Sequence, residues 1–102
     1  MKEIKINSRN ATFQKIVVLK TNRNKRYKYI EFFVEGVRNI NEAIKNHWQI
    51  SSFIYSDKWK LSDWAKNKIA STKTDQNYIL KPELMDDISN KNDTSEILAI
   101  VK

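Results

Sequence analysis

Hydrophobic residues fall in short blocks whose spacing switches between the period of a helix and that of a strand. Phe13, Ile16 and Val17 recur on one face with Leu19 beside them and Ser8 ahead as a cap, which predicts a helix over residues 9–20. Ile30, Phe32 and Val34 then alternate with Glu31, Phe33 and Glu35, the pattern of a strand whose second face is partly covered. It ends at Gly36, the one glycine of the chain. Asn39 and Glu42 have the spacing of a capping box, and Ile40, Ala43 and Ile44 give the next helix its apolar stripe. The run ISSFIYS, residues 50–56, predicts a second strand, and Leu61, Trp64, Ala65 and Ile69 predict another helix. NYIL reads as a short strand. Pro82 suits the first turn of a short helix carrying Leu84, Met85 and Ile88, and after the polar SNKNDTSE comes a final strand, ILAIV.

This alternation predicts an α/β fold: a small three-layer sandwich with a four-stranded, mostly parallel sheet flanked by helices. No repeat, low-complexity tract or linker interrupts it. The 102 residues therefore read as a single domain, residues 1–102, large enough for one core.

Composition narrows the chemistry. Cysteine is absent, which excludes a disulfide scaffold, a thiolate metal site and a cysteine nucleophile, and suits a reducing cytosol. His47 is the only histidine, too little for a zinc site; near a helix C-terminus its partial positive charge is favourable. No apolar run approaches the roughly 18 residues of a membrane span, and the N-terminus lacks a signal-peptide core, so a cytoplasmic location is expected.

The net charge of +7 is unevenly placed. Residues 1–30 hold nine basic residues against one acidic, and the remaining 72 hold ten against eleven. The first third of the chain is thus marked to meet a polyanion. Its centre is the segment from Lys20 through the loop TNRNKRYK to Lys28, where Lys20, Arg23, Lys25, Arg26 and Lys28 can neutralise phosphates, the two arginines through paired donors. Tyr27 and Tyr29 interleave with these charges; Tyr29 fits better as packing at the start of the strand. Arg9 and Lys15 extend the basic surface along the first helix, and Arg38 follows the glycine turn. Asn10 has two roles open to it, a contact to that polyanion or a helix cap.

Other residues read as structural. Trp64 belongs to a helical apolar stripe, and Trp48 and Trp59, flanking strand ends, are better assigned to core packing than to base stacking. Glu35 ends a strand where α/β enzymes place chemistry, but has no partner carboxylate, histidine or nucleophile near it in sequence. It is expected to serve the turn, by accepting backbone hydrogen bonds or pairing with a basic side chain. Gly36 is expected to supply a positive φ or close backbone approach at that turn.

Ile6, Ser8 and Asn10, a helix with Leu19, a basic loop with Arg26, the string FFVEG, and a helix carrying Glu42 and Ala43 occur in an order that resembles the N-terminal substrate-binding domain of the SpoU/TrmH class of RNA 2′-O-ribose methyltransferases. The strand around Phe53, YIL before Pro82, Glu83 and Leu84, and the terminal LAIV follow in register. Gln14 stands where a lysine is usual, with Lys15 beside it.

The resemblance implies a fold similar to ribosomal proteins that bind kinked RNA, and a domain that presents ribosomal or transfer RNA to a separate knotted catalytic domain. That second domain would bind S-adenosylmethionine and methylate a ribose 2′-hydroxyl. Its asparagine-glycine-arginine motif, glycine-rich loop and serine-leucine-asparagine motif do not occur here. The chain is therefore expected to be a catalytically inert substrate-binding portion without a cofactor or metal of its own, joined in a homodimer only through the missing domain. The alternative is a stand-alone kinked-RNA-binding protein of a ribonucleoprotein.

Overall fold

Period-two blocks become strands and period-3.6 blocks become helices in the computed structural model, which describes residues 2–21, 31–56, 58, 60–88 and 96–102. In chain order these are β1 (Lys2–Ile6), α1 (Ala11–Thr21), β2 (Phe32–Glu35), α2 (Val37–Lys45), β3 (Ile50–Tyr55), α3 (Asp63–Ser71), β4 (Gln76–Leu80), α4 (Pro82–Ile88) and β5 (Ile97–Val101).

The strands form one sheet in the order β1-β4-β3-β5-β2. β4 runs parallel to both β1 and β3, whereas β5 is antiparallel to both β3 and β2. The sheet thus has five strands rather than the expected four, and it is mixed. The additional strand is KEIKI, in which Ile4 and Ile6 alternate with Glu3 and Lys5; its single apolar face suits an edge position. The reversed strand is ILAIV. Its even burial satisfies either direction, because a continuous apolar run demands cover on both faces and says nothing of polarity.

The alternation sorts side chains into two apolar layers. Ile6, Ile54, Tyr78, Leu80, Leu98 and Ile100 face Phe13, Ile16 and Leu19 of α1 and Leu84, Met85 and Ile88 of α4. On the other face Phe53, Tyr55, Ile79, Ile97, Ala99 and Val101 meet Ile40 and Ala43 of α2 and Ala65 of α3. The three-layer sandwich expected from the sequence is therefore present. A bulge shifts the alternation within β3: Ile50 pairs with Val101 but Ser52 with Ile100, so Ile50 and Phe53, three positions apart, share a face.

Helix ends follow local chemistry. The α1 cap is Asn10, whose Oδ1 accepts from the Phe13 N–H at 2.9 Å, in place of the expected Ser8. Helix α2 starts at Val37 directly after Gly36, three residues before the capping box would place it. Asn39 instead donates its Nδ2 to the Glu35 carbonyl at 3.0 Å. At the other end of α2, Trp48 N–H reaches the Ala43 carbonyl and His47 N–H the Ile44 carbonyl, each at 3.0 Å, with His47 at φ 60°. This is a Schellman turn with histidine where glycine usually stands. Ser62 caps α3 through Ala65 N–H at 3.2 Å, and Pro82 opens α4 over the Lys81 carbonyl. No helix among the described residues is long and apolar enough to cross a membrane.

Candidate nucleic-acid interface

Strands β1 to β4 all point the same way, so the sheet has a carboxyl end, where these four finish, and an amino end, where they start and β5 finishes. Helix α1 leaves β1 at the carboxyl end and returns toward the amino end. It thereby separates residues that are close in sequence.

Arg9 and Asn10 stand at the carboxyl end, before α1. The Arg9 guanidinium is paired with the Asp87 carboxylate of α4, both side chains being well exposed, at 57% and 40%. Such a surface pair contributes about 1 kcal/mol or less, so a phosphate can take the place of Asp87. Asn10 is occupied by its capping bond. Glu35, Gly36 and Arg38 also lie at this end, where β2 passes into α2. Gly36 has φ 98° and ψ 152°, and Arg38 is exposed in the first turn of the helix.

Lys15 points elsewhere. Its Nζ lies 3.5 Å from Glu31 Oε1, and Glu31 Oε2 accepts from Ser51 Oγ at 3.0 Å. These residues line a cleft of about 180 Å³ at the amino end, together with Thr12, Asp75 and Gln76. Lys102 also pairs with Asp75, and that hydrogen bond raises the lysine above its ordinary pKa. The cleft is therefore a place where charges of opposite sign meet.

Lys20 sits in the last turn of α1. Its side chain, and Arg23, Lys25, Arg26 and Lys28 with Tyr27, Tyr29 and Trp59, lie outside the described residues. The fold thus divides the expected basic surface. Arg9, Asn10, Gly36 and Arg38 share one end of the sheet, and Lys15 turns toward the other.

Trp48 departs from its expected core position. It is 49% exposed and meets Phe32 edge-to-face, with ring centroids 5.7 Å apart. The Schellman turn carries the chain outward past the helix, so the ring covers edge strand β2 instead of entering the core. Trp64 does pack against the core, and its Nε1 donates to Asn41 at 3.0 Å. Basic residues passed over in the sequence also gather at the carboxyl end: Lys5, Lys58 and Lys81. Their common signal is position, at or just beyond the end of an apolar strand.

Together these features define a small α/β/α domain with basic residues along one rim. Residues 10–99 match the SpoU L30e-like domain, and the chain belongs to that family. It is 36% identical over 99 residues to the 23S rRNA (uridine(2479)-2′-O)-methyltransferase of Streptomyces viridochromogenes, a match covering 96% of this chain and 34% of that protein. The structure of the SpoU methyltransferase AviRb of Streptomyces viridochromogenes in complex with AdoMet superposes with a TM-score of 0.83 at 35% identity, over 92% of this chain and 36% of the other. An rRNA methyltransferase of Sinorhizobium meliloti shares the fold, with a TM-score of 0.72 at 16% identity, over 100% of this chain and 38% of that one. The chain spans about a third of the length of these relatives.

Proposed function

We propose that this chain is the RNA substrate-binding domain of an S-adenosylmethionine-dependent RNA 2′-O-ribose methyltransferase, presenting ribosomal or transfer RNA to a separate catalytic domain in the cytoplasm. The observation that carries this reading is the 36% identity, across 96% of the chain, to a 23S rRNA 2′-O-methyltransferase. The excess of basic residues in the first third of the chain supports it.

The described residues do not suit S-adenosylmethionine itself. The cleft at the amino end is crossed by the Lys15–Glu31 pair, and three lysines line the groove at the carboxyl end, where they would repel a sulfonium. The one glycine sits in a strand-to-helix turn and supplies no glycine-rich loop. The cofactor, and dimerisation with it, are assigned to the catalytic domain. This domain's part is to bind and orient: Arg9, Lys15, Lys20, Arg23, Lys25, Arg26, Lys28 and Arg38 neutralise phosphates and release counterions, and Asn10 offers an amide donor beside them.

A filter-binding titration with structured ribosomal RNA tests this. Affinity is expected to fall steeply with salt, and Arg23→Ala/Arg26→Ala should weaken binding while leaving the melting temperature nearly unchanged. Binding insensitive to salt, or absent, overturns the reading. An open reading frame continuing for roughly twice the present length, as the relatives' size suggests, separates it from the stand-alone alternative.

A further inference from the structure

A groove of about 240 Å³ opens at the carboxyl end of β1, β4 and β3, lined by Lys5, Asn7, Lys58, Ile79, Leu80 and Lys81. Its form follows from the sheet edge. On β1 the side chains of Ile4 and Ile6 turn to the α1–α4 layer, so Lys5 turns to the opposite face, beside its β4 register partner Ile79. Lys81 leaves β4 with its carbonyl fixed by the N–H groups of Leu84 and Met85, at 3.0 and 3.1 Å. Lys58 leaves β3 with its N–H held by the buried Ser56 Oγ at 3.2 Å. All three lysines are exposed over a floor of buried Ile79 and Leu80, and among the described lining residues there is no carboxylate.

Gathering three like charges opposes folding through their mutual repulsion. One-signed walls over an apolar, low-dielectric floor do, however, focus a field that attracts an anion. We propose that this groove seats the sugar-phosphate backbone of the RNA, an inference that rests on the RNA-binding reading above. Lysine heads act as point charges on phosphate and carry no base readout, so the groove positions the RNA and does not select its sequence. With Arg9 and Arg38 at the same end of the sheet, phosphate contacts extend along the carboxyl rim from the β1 edge to the β2 edge.

The test compares salt dependence of binding to a labelled ribosomal RNA hairpin for wild type, Lys5→Gln/Lys58→Gln/Lys81→Gln, and a control removing equal charge at the amino end, Lys45→Gln/Lys68→Gln/Lys73→Gln. Each phosphate contact contributes about 0.7–0.9 to the slope of log affinity against log salt, so the groove variant should lose about 2–3 from that slope and the control little. An unchanged slope in the groove variant, with wild type binding normally, overturns the groove and leaves the RNA reading standing. Equal losses in both variants reduce the effect to net charge and also overturn it. Wild type without salt-dependent binding removes the RNA reading, and the groove with it. Thermal melting by circular dichroism checks folding; should the triple variant melt early, Lys58→Gln/Lys81→Gln replaces it, with an expected slope loss of about 1–2.

Discussion

Replacing Gly36 with alanine sets one backbone conformation against the rest of the fold. At φ 98° and ψ 152° the residue occupies a region that only glycine enters readily, and forcing a Cβ into it costs on the order of 1–3 kcal/mol. The flanking structure leaves little room to relax. On one side Glu35 is in register with Leu98 of β5, and on the other the Gly36 carbonyl accepts the first helical bond of α2 from Ile40 N–H at 3.0 Å. Rotating φ toward negative values breaks one or the other. Alanine also stiffens the unfolded chain, which offsets the loss by roughly 0.4–1 kcal/mol, so a net destabilisation of about 1–2 kcal/mol is expected. For a domain of this size that lowers the melting temperature by about 4–16 °C. Urea unfolding followed by circular dichroism measures it, with the midpoint falling while the slope stays constant. A loss under about 0.5 kcal/mol would show that the turn accommodates a Cβ and that the strained angle is not what selects glycine here.

Other positions give independent checks. Asn10→Ala should cost about 1 kcal/mol through the lost cap, whereas Asn10→Asp should keep the stability yet weaken RNA binding by placing a negative charge at the carboxyl rim; full stability in the alanine variant would refute the capping role. His47→Gly should raise stability by up to about 1 kcal/mol by relieving the left-handed C′ position, and a lower melting temperature would contradict this. Trp48→Ala should cost about 1 kcal/mol, against about 3–5 for Phe53→Ala in the core, and equal losses would refute the surface position of Trp48. The Lys102–Asp75 contact, which raises the lysine pKa, adds stability through neutral pH and loses it as pH climbs past the raised value. Asp75→Asn should therefore melt slightly below wild type at neutral pH and converge with it in strongly alkaline solution; a gap that persists there would contradict the pairing.

The elements that could be read from the sequence were those whose apolar period had no competitor. Leu84, Met85 and Ile88 after Pro82, or the apolar runs of β3 and β5, allowed one assignment each. KEIKI escaped because two isoleucines among charges are a weak signal until β4 is seen to need a neighbour beside Tyr78 and Leu80. The direction of β5 was not legible, since side-chain alternation is the same in either sense. Helix starts depended on competition among caps: Ser8 and Asn10 both qualify by residue type, and only the backbone path decides for Asn10. Trp48 was misjudged because burial was inferred from residue type, while its position is set by the turn that ends α2.

Charge shows the same gap between chain and space. The excess of basic residues is continuous in sequence, yet α1 runs back across the sheet, and its 11 residues put about 16 Å between Arg9 at one end and Lys20 at the other. A ligand held at both ends of the sheet must reach across it, as a structured RNA does. The groove of Lys5, Lys58 and Lys81 strengthens the Arg9 end with two residues taken from the part of the chain that is neutral overall, so the fold recruits basic residues to the rim that a count along the sequence assigns elsewhere. Affinity should accordingly rise with RNA length until one molecule reaches both ends of the sheet and then level off. A short oligonucleotide that competes as well as the hairpin would confine binding to one end.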